Sequence, residues 1–262
     1  MLRNQLVDFM GQYLDADAYN DAAKNGLQVE GAEECHKIMT AVTASLSAIK
    51  EAKAYGMDTL IVHHGLLWKG VPQTIGGAFK ERIRLLLEYN INLIAYHLPL
   101  DANLEIGNNR NLANLLKLEC LDYIRPHDKK SIALVGKMNF AMQLRNIVNI
   151  YHDALNSRIA LLGKSDMILN EGCRICICSG SGAFLLNENQ KPNFDLLITG
   201  DLNEQCYHLS REYDIAVIAL GHDASEQSGV RSLGAYLADR FGLVHEHYTE
   251  DRESEARIYE SV

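Results

Sequence analysis

The chain has 262 residues, enough to bury a large core as one domain or as two of roughly 100–150 residues each. Its composition is that of an ordinary globular protein, 47% hydrophobic and 23% charged with 4 prolines, which argues against long disordered stretches. Acidic residues outnumber basic ones 34 to 25, for a net charge of −9. No Lys/Arg-rich stripe offsets this, so general binding to a nucleic-acid backbone is not expected.

The opening stretch, MLRNQLVDFMGQYLDAD, is amphipathic and carries acids, so it reads as a helix over 2–14 and not as a signal peptide. No apolar run approaches the roughly 18 residues of a membrane span, and the cytoplasm is the expected compartment. Short β-branched runs then alternate with helical ones. Strands are expected over 38–44, 59–64 and 91–97, and helices over 46–55, 79–89 and 110–118. The polar stretch DYIRPHDKKS marks the best boundary between two units, 1–124 and 125–262.

The rhythm then restarts, with strands over 132–135, 158–162, 174–178, 196–199, 215–220 and 243–248. Helices fall over 141–155, 202–213 and 225–241. Strands separated by helical crossovers imply an α/β fold with mixed or mostly parallel sheets. The charged stretch EDRESEARIYESV reads as a solvent-facing tail.

Open α/β sheets bind ligands at the carboxyl ends of their strands, so the residues that follow each strand carry the functional signal. LIVHHG places His63 and His64 there, LIAYHLPLDA places His97 and Asp101, LLITGDLNEQ places Asp201, and IALGHDASE places His222 and Glu226. Imidazole and carboxylate together suit zinc, manganese, iron, cobalt or nickel. His222 and Glu226 are four apart, so a helix beginning near Asp223 or Ala224, capped by Ser225 or Asp223, sets them on one side. The Glu226 carboxylate could bridge two ions. Adjacent strand residues point to opposite faces, but a turn at Gly65 would let His63 and His64 diverge toward two different ions. Each histidine alone is more simply a hydrogen-bonded surface residue, and Pro99 alone suggests a turn. The repetition at equivalent strand ends is what argues for a site.

Other motifs are weaker. In CRICIC, Cys173, Cys176 and Cys178 alternate with isoleucines, which reads as reduced cysteines on a core strand and not as a zinc knuckle. Gly180-Ser181-Gly182 could offer amides to an anion but lacks a P-loop lysine, so a turn is the simpler reading. His245-Glu246-His247 reads as a surface strand, and no G-x-S-x-G elbow supports a serine hydrolase.

The stretches NGLQVEG, VHHGLLWKG, INLIAYHLPLDANLEIGNN, ITGDLNEQCYH and GHDASEQSGVRSLGAYL together resemble the motifs of the GTP cyclohydrolase I type 2 homologues, also called dinuclear-metal-centre hexameric proteins. The resemblance runs from about residue 25 to about residue 240. It implies two interlinked α/β units, a toroidal homohexamer, and two divalent metal ions per subunit. Carried over by position, the metal ligands fall on His63, His64, Asp101, His222 and Glu226, with His97 as an extra ligand, a supporting partner or a catalytic proton shuttle. The implied activity is metal-dependent hydrolysis of a nucleotide-like small molecule such as GTP. The alternative is a non-catalytic metal-handling or regulatory hexamer.

Overall fold

The computed structural model describes residues 1–70, 74–125, 131–187 and 189–250, and builds them on two large sheets and one two-stranded sheet, joined by helices. The chain opens with α1 (Arg3–Tyr13), β1 (Gly26–Val29), β2 (Lys37–Thr43), α2 (Leu46–Ala54), β3 (Thr59–His64), α3 (Gly77–Glu88) and β4 (Asn92–Ala95). Two short helices follow, α4 (Leu98–Ala102) and α5 (Asn108–Leu115), and then β5 (Glu119–Tyr123) and β6 (Leu134–Lys137). Next come β7 (Met142–Gln143), α6 (Leu144–Leu155), β8 (Ala160–Leu162), β9 (Ile168–Leu169) and β10 (Arg174–Cys178). The chain continues through β11 (Leu196–Thr199), α7 (Glu204–Tyr213), β12 (Ala216–Ala219), the long α8 (His222–Phe241) and β13 (Val244–His247).

The first sheet has the order β1-β4-β3-β2-β13, with β13, β2, β3 and β4 parallel and β1 antiparallel at the edge. The second has the order β5-β6-β10-β11-β12-β8, with β10, β11 and β12 parallel and antiparallel strands on both flanks. The fold is thus mixed α/β with mostly parallel pairing at each sheet's centre, as the alternating pattern predicts. β5 already belongs to the second sheet, whereas β13 returns to the first. The segment between them, ending in α8, ties the two sheets together.

Side-chain alternation explains both faces of each sheet. In β3, Leu60 and Val62 face α2 and α3, packing with Ile49, Ala52, Leu85 and Leu86. Ile61 faces the other way, onto Leu6 and Met10 of α1 and Val230, Leu233 and Leu237 of α8. Each such buried aliphatic side chain contributes about 1.5–3 kcal/mol from area removed from water. In β10, Ile175 and Ile177 pack toward α5 and α6, while Cys176 and Cys178 share the opposite face with Leu197, Val217 and Cys206. The six cysteines are unpaired, and burial pushes the Cys176 and Cys178 thiols well up, so both stay protonated packing groups.

Some boundaries differ from expectation for identifiable reasons. The strand expected over 91–97 stops at Ala95, because Pro99, at the start of α4, suits a first helical turn and His97 becomes that helix's N-cap. Ser45 caps α2 by accepting the Ala48 amide at 3.0 Å. Helix α8 begins at His222, after Gly221, and no side chain caps it. Ser225 instead donates to the His222 carbonyl and accepts the Gly180 amide. Most of the expected acidic tail lies outside the described residues. No described helix is long and apolar enough to cross a membrane.

Candidate metal centre

The end of β3 and the starts of α4 and α8 converge on a single point. His63 continues the face of Ile61 and is fully buried, with its ring 4.7 Å from that of His64. His64 closes β3 beside Thr43. His97 caps α4, Asp101 lies one turn further along it, and His222 and Glu226 stand one turn apart at the start of α8. Their ligand atoms form three groups, each within 4.8 Å: His63, His64 and His97; His64, His222 and Glu226; and His63, Asp101 and Glu226.

Glu226 is the hub. Its Oε1 lies 3.4 Å from His63 Nε2 and 3.3 Å from His222 Nε2, while Oε2 lies 3.3 Å from His64 Nε2. Asp101 Oδ2 lies 3.5 Å from His63 Nε2. Its other oxygen accepts from Asn108 Nδ2 at 2.9 Å and from Ser179 Oγ at 2.7 Å, which fixes the carboxylate and leaves Oδ2 turned inward.

The outer nitrogens of the rings are engaged elsewhere. His63 Nδ1 donates to the Tyr96 carbonyl at 3.1 Å, and His222 Nδ1 to Asp201 Oδ2 at 2.5 Å, itself held by Ser181 Oγ. His97 Nδ1 faces Asp21 Oδ1 at 2.8 Å. A neutral ring with Nδ1–H donated outward keeps its Nε2 lone pair for the centre, as metal-binding imidazoles do.

The electrostatics match. Burial pushes His63 down, but the carboxylates of Asp101 and Glu226 outweigh it and lift the ring from 6.5 to about 9. The hydrogen bond to Glu226 raises His222 to about 9 as well, against partial burial. His64 falls to about 4, through burial and the charge on His63. Burial alone would raise Glu226, yet the surrounding imidazoles hold it far below the carboxylate range. The pocket therefore demands positive charge, since two buried carboxylates are costly without it.

The donor set fits divalent cations. His63 Nε2 and Glu226 Oε2 are buried without a hydrogen-bond partner, where nearly all buried polar groups of a folded chain find one. Imidazole and carboxylate are suitable ligands, and His63, His97, Asp101 and His222 are each oriented by a contact outside the cluster.

All six residues expected from the sequence come together here. Asp21, Asn108 and Ser179, which support them, were not singled out by sequence reasoning: Asp21 lies in the aperiodic NDAAKNG, and Ser179 at a strand end with no metal-ligand side chain. Asn108 falls within the LEIGNN motif, where an adjacent asparagine pair offered a signal. Gly180-Ser181-Gly182 forms a turn whose glycine amides bond to Ser225 Oγ and Thr199 Oγ1, so they are not offered to an anion. His245 and His247 lie on β13, away from the cluster, bonded to Thr40. A cavity of about 640 Å³ opens beside Leu98, the residue after His97, toward Phe184 and Phe194.

The family model of Duf34/NIF3 (NGG1p interacting factor 3) matches residues 1–253. A Pyrococcus horikoshii protein named GTP cyclohydrolase 1 type 2 homolog is 39% identical over 243 residues, covering 93% of this chain and 96% of that protein. A Pseudomonas aeruginosa protein of the same name is 37% identical over 240 residues, covering 92% and 94%. Among solved structures, protein ybgI, described as of unknown function, superposes with a TM-score of 0.87 at 32% identity, covering 96% of this chain and 99% of that one. A Thermus thermophilus protein gives 0.84 at 33% identity, with coverage of 96% and 99%. The chain belongs to the Duf34/NIF3 family.

Proposed function

We propose that this member of the Duf34/NIF3 family is a dinuclear metal-binding protein that acts as a metal-dependent hydrolase on a nucleotide-like small molecule. The observation that carries the reading is the place of Glu226. One oxygen faces His63 and His222 at 3.4 and 3.3 Å, and the other faces His64 at 3.3 Å. A carboxylate with imidazoles on both oxygens is suited to sit between two cations.

His63, His64, Asp101, His222 and Glu226 would hold two divalent ions of zinc, iron, manganese, cobalt or nickel. Such ions supply Lewis acidity when bound, polarising a substrate oxygen and lowering the pKa of water toward neutrality. The chain's own groups supply orientation and proton transfer. Asn108 and Ser179 keep Asp101 Oδ2 turned inward, and His97, with Nδ1 facing Asp21, offers Nε2 to accept or return a proton. The half-buried His64 and His222 leave an approach from solvent, unlike the closed sulfur cages of structural sites. The name carried by the relatives supports a purine nucleotide as the first substrate class to try, and the family resemblance supports a homohexamer.

Metal analysis of the purified protein is the first test, with about two divalent ions per chain expected and both lost in His63→Ala/His64→Ala. Turnover of GTP and other nucleotides by metal-loaded protein is then compared with Glu226→Ala. Equal rates would overturn the hydrolase reading, and metal transfer to an acceptor without turnover would favour a metal-handling role. Sedimentation of the same material reads the assembly.

A further inference from the structure

The segment that precedes β1 holds a buried carboxylate that contacts the His97 ring and the main chain beside it. Asp21 is 4% exposed and lies 76 positions before His97 in the chain. Its Oδ1 accepts the Ala23 amide at 2.9 Å and faces His97 Nδ1 at 2.8 Å. Its Oδ2 accepts the Leu98 amide at 2.9 Å and Asn25 Nδ2 at 3.1 Å. The Asn25 side chain turns back and accepts the His97 amide on its Oδ1 at 2.8 Å. Ring, main chain and following residue are thus all held by one pair, Asp21 and Asn25.

The clamp is itself anchored. Lys24 N donates to the Leu67 carbonyl at 2.9 Å and Lys69 N to the Ala22 carbonyl at 2.7 Å, joining this segment to the loop after His64. Gln28 Oε1 accepts the Leu66 and Leu67 amides at 2.6 and 3.1 Å. Trp68, carried on that loop, sets its ring edge-on to His97 with centroids 5.0 Å apart. His97 therefore has little freedom to rotate, and its ring lies 4.9 Å from that of His63 and 5.6 Å from that of His64.

A carboxylate only accepts hydrogen bonds, so Nδ1 beside it must carry the proton, and on a neutral ring Nε2 is then the lone pair. We propose that Asp21 is the positioning residue of His97, fixing it as the Nδ1–H tautomer with Nε2 turned to the cluster. The purpose of this arrangement rests on the metal reading above, while its content rests on the Asp21–His97 geometry. Asp21 has a counterpart in Asp201, which holds His222 the same way, but Asp201 is half-exposed and Asp21 is buried with both oxygens fully used.

Asp21→Asn is the informative variant. Each carboxylate oxygen meets two donors, so whichever way the amide turns, its NH₂ group faces two donors and contact is lost. Three measurements on the full-length chain decide the matter. Nitrogen-15 spectra of histidine-labelled, metal-free wild type should show His97 protonated on Nδ1; an Nε2–H ring would overturn the proposal without any variant being needed. The ligand atoms of His97, His63 and His64 lie within 4.8 Å of one another, so His97 held in this way is a further donor to a bound ion. Cobalt titration should therefore show binding weakened roughly 10- to 100-fold in Asp21→Asn, with a changed visible spectrum. Addition of His97→Gln to Asp21→Asn should cost little more, because one residue acts through the other. Additive losses, or an unchanged cobalt spectrum in Asp21→Asn, would overturn it. A chain that takes up no cobalt would instead sink the metal reading, and the tautomer measurement would still decide for or against Asp21.

Discussion

Gly180 lies directly against Glu226: a Cβ on that glycine would stand 2.5 Å from Glu226 Oε1 and 3.2 Å from His222 Nε2. The turn after β10 can therefore back the cluster only if it carries no side chain there. Its φ of +60° is a second reason for glycine at this position.

Gly180→Ala should accordingly push the Glu226 carboxylate out of register. The expected result is loss of most bound metal, together with a modest fall in the stability of the metal-free chain, about 1 kcal/mol or more from the left-handed backbone alone. Metal content by mass spectrometry and a denaturant titration in chelator check both. Full metal retention in Gly180→Ala would show that Glu226 has room to spare.

A similar close approach supports Asp101. A Cβ on Gly229 would fall 2.3 Å from Asn108 Oδ1, whose amide nitrogen holds Asp101. Gly229→Ala is expected to destabilise by about 1–3 kcal/mol through overpacking and to lower metal uptake. In the background of Asn108→Ala the side-chain part of the clash is removed, leaving only the backbone nitrogen at 3.0 Å, so the two changes combine to less than their sum. Simple additivity in denaturant melts would refute the contact.

Acid sensitivity has a source outside the cluster. His247 Nε2 faces Gln227 Oε1 at 2.7 Å, and the Gln227 amide nitrogen is committed to Asp223, so the glutamine accepts and Nε2 carries the proton. Nδ1 then takes the Thr40 hydroxyl at 2.8 Å. Burial, with Arg231 and His245 nearby, pushes His247 down to about 4. The folded state thus keeps this ring neutral where the unfolded chain, near 6.5, binds a proton. The His247 contribution is fully present above pH 6.5 and is lost as pH falls toward about 4. Urea unfolding of metal-free wild type and His247→Gln should show a stability gap that narrows over that window. A gap independent of pH would show that the folded chain does not hold this ring neutral through the window.

Much of this was legible in the sequence because burial on both faces leaves continuous apolar runs. Leu60-Ile61-Val62 and Leu196-Leu197-Ile198 announced central strands, and the polar residues directly after such runs announced the cluster. β1 was not legible: Gly26-Leu27-Gln28-Val29 is short and mostly half-exposed, with no alternation to read. β5 is mostly exposed and equally quiet. Asp21 escaped because its role comes from a contact 76 positions away, which no local pattern encodes. Strand order escaped as well, since nothing in VHEH says that it lies beside β2.

That last placement reaches into biosynthesis. Because α8 supplies Glu226 and β13 is an edge strand of the first sheet, the cluster cannot close until α8 has emerged, nor the sheet until residue 247 has left the ribosome. The early strands must wait through the emergence of the entire second sheet, with the β2 edge unpaired in the interval. A nascent chain halted before α8 would carry His63, His64, His97 and Asp101 without their shared carboxylate. Assembly of the six-residue cluster is thereby deferred until α8 has emerged.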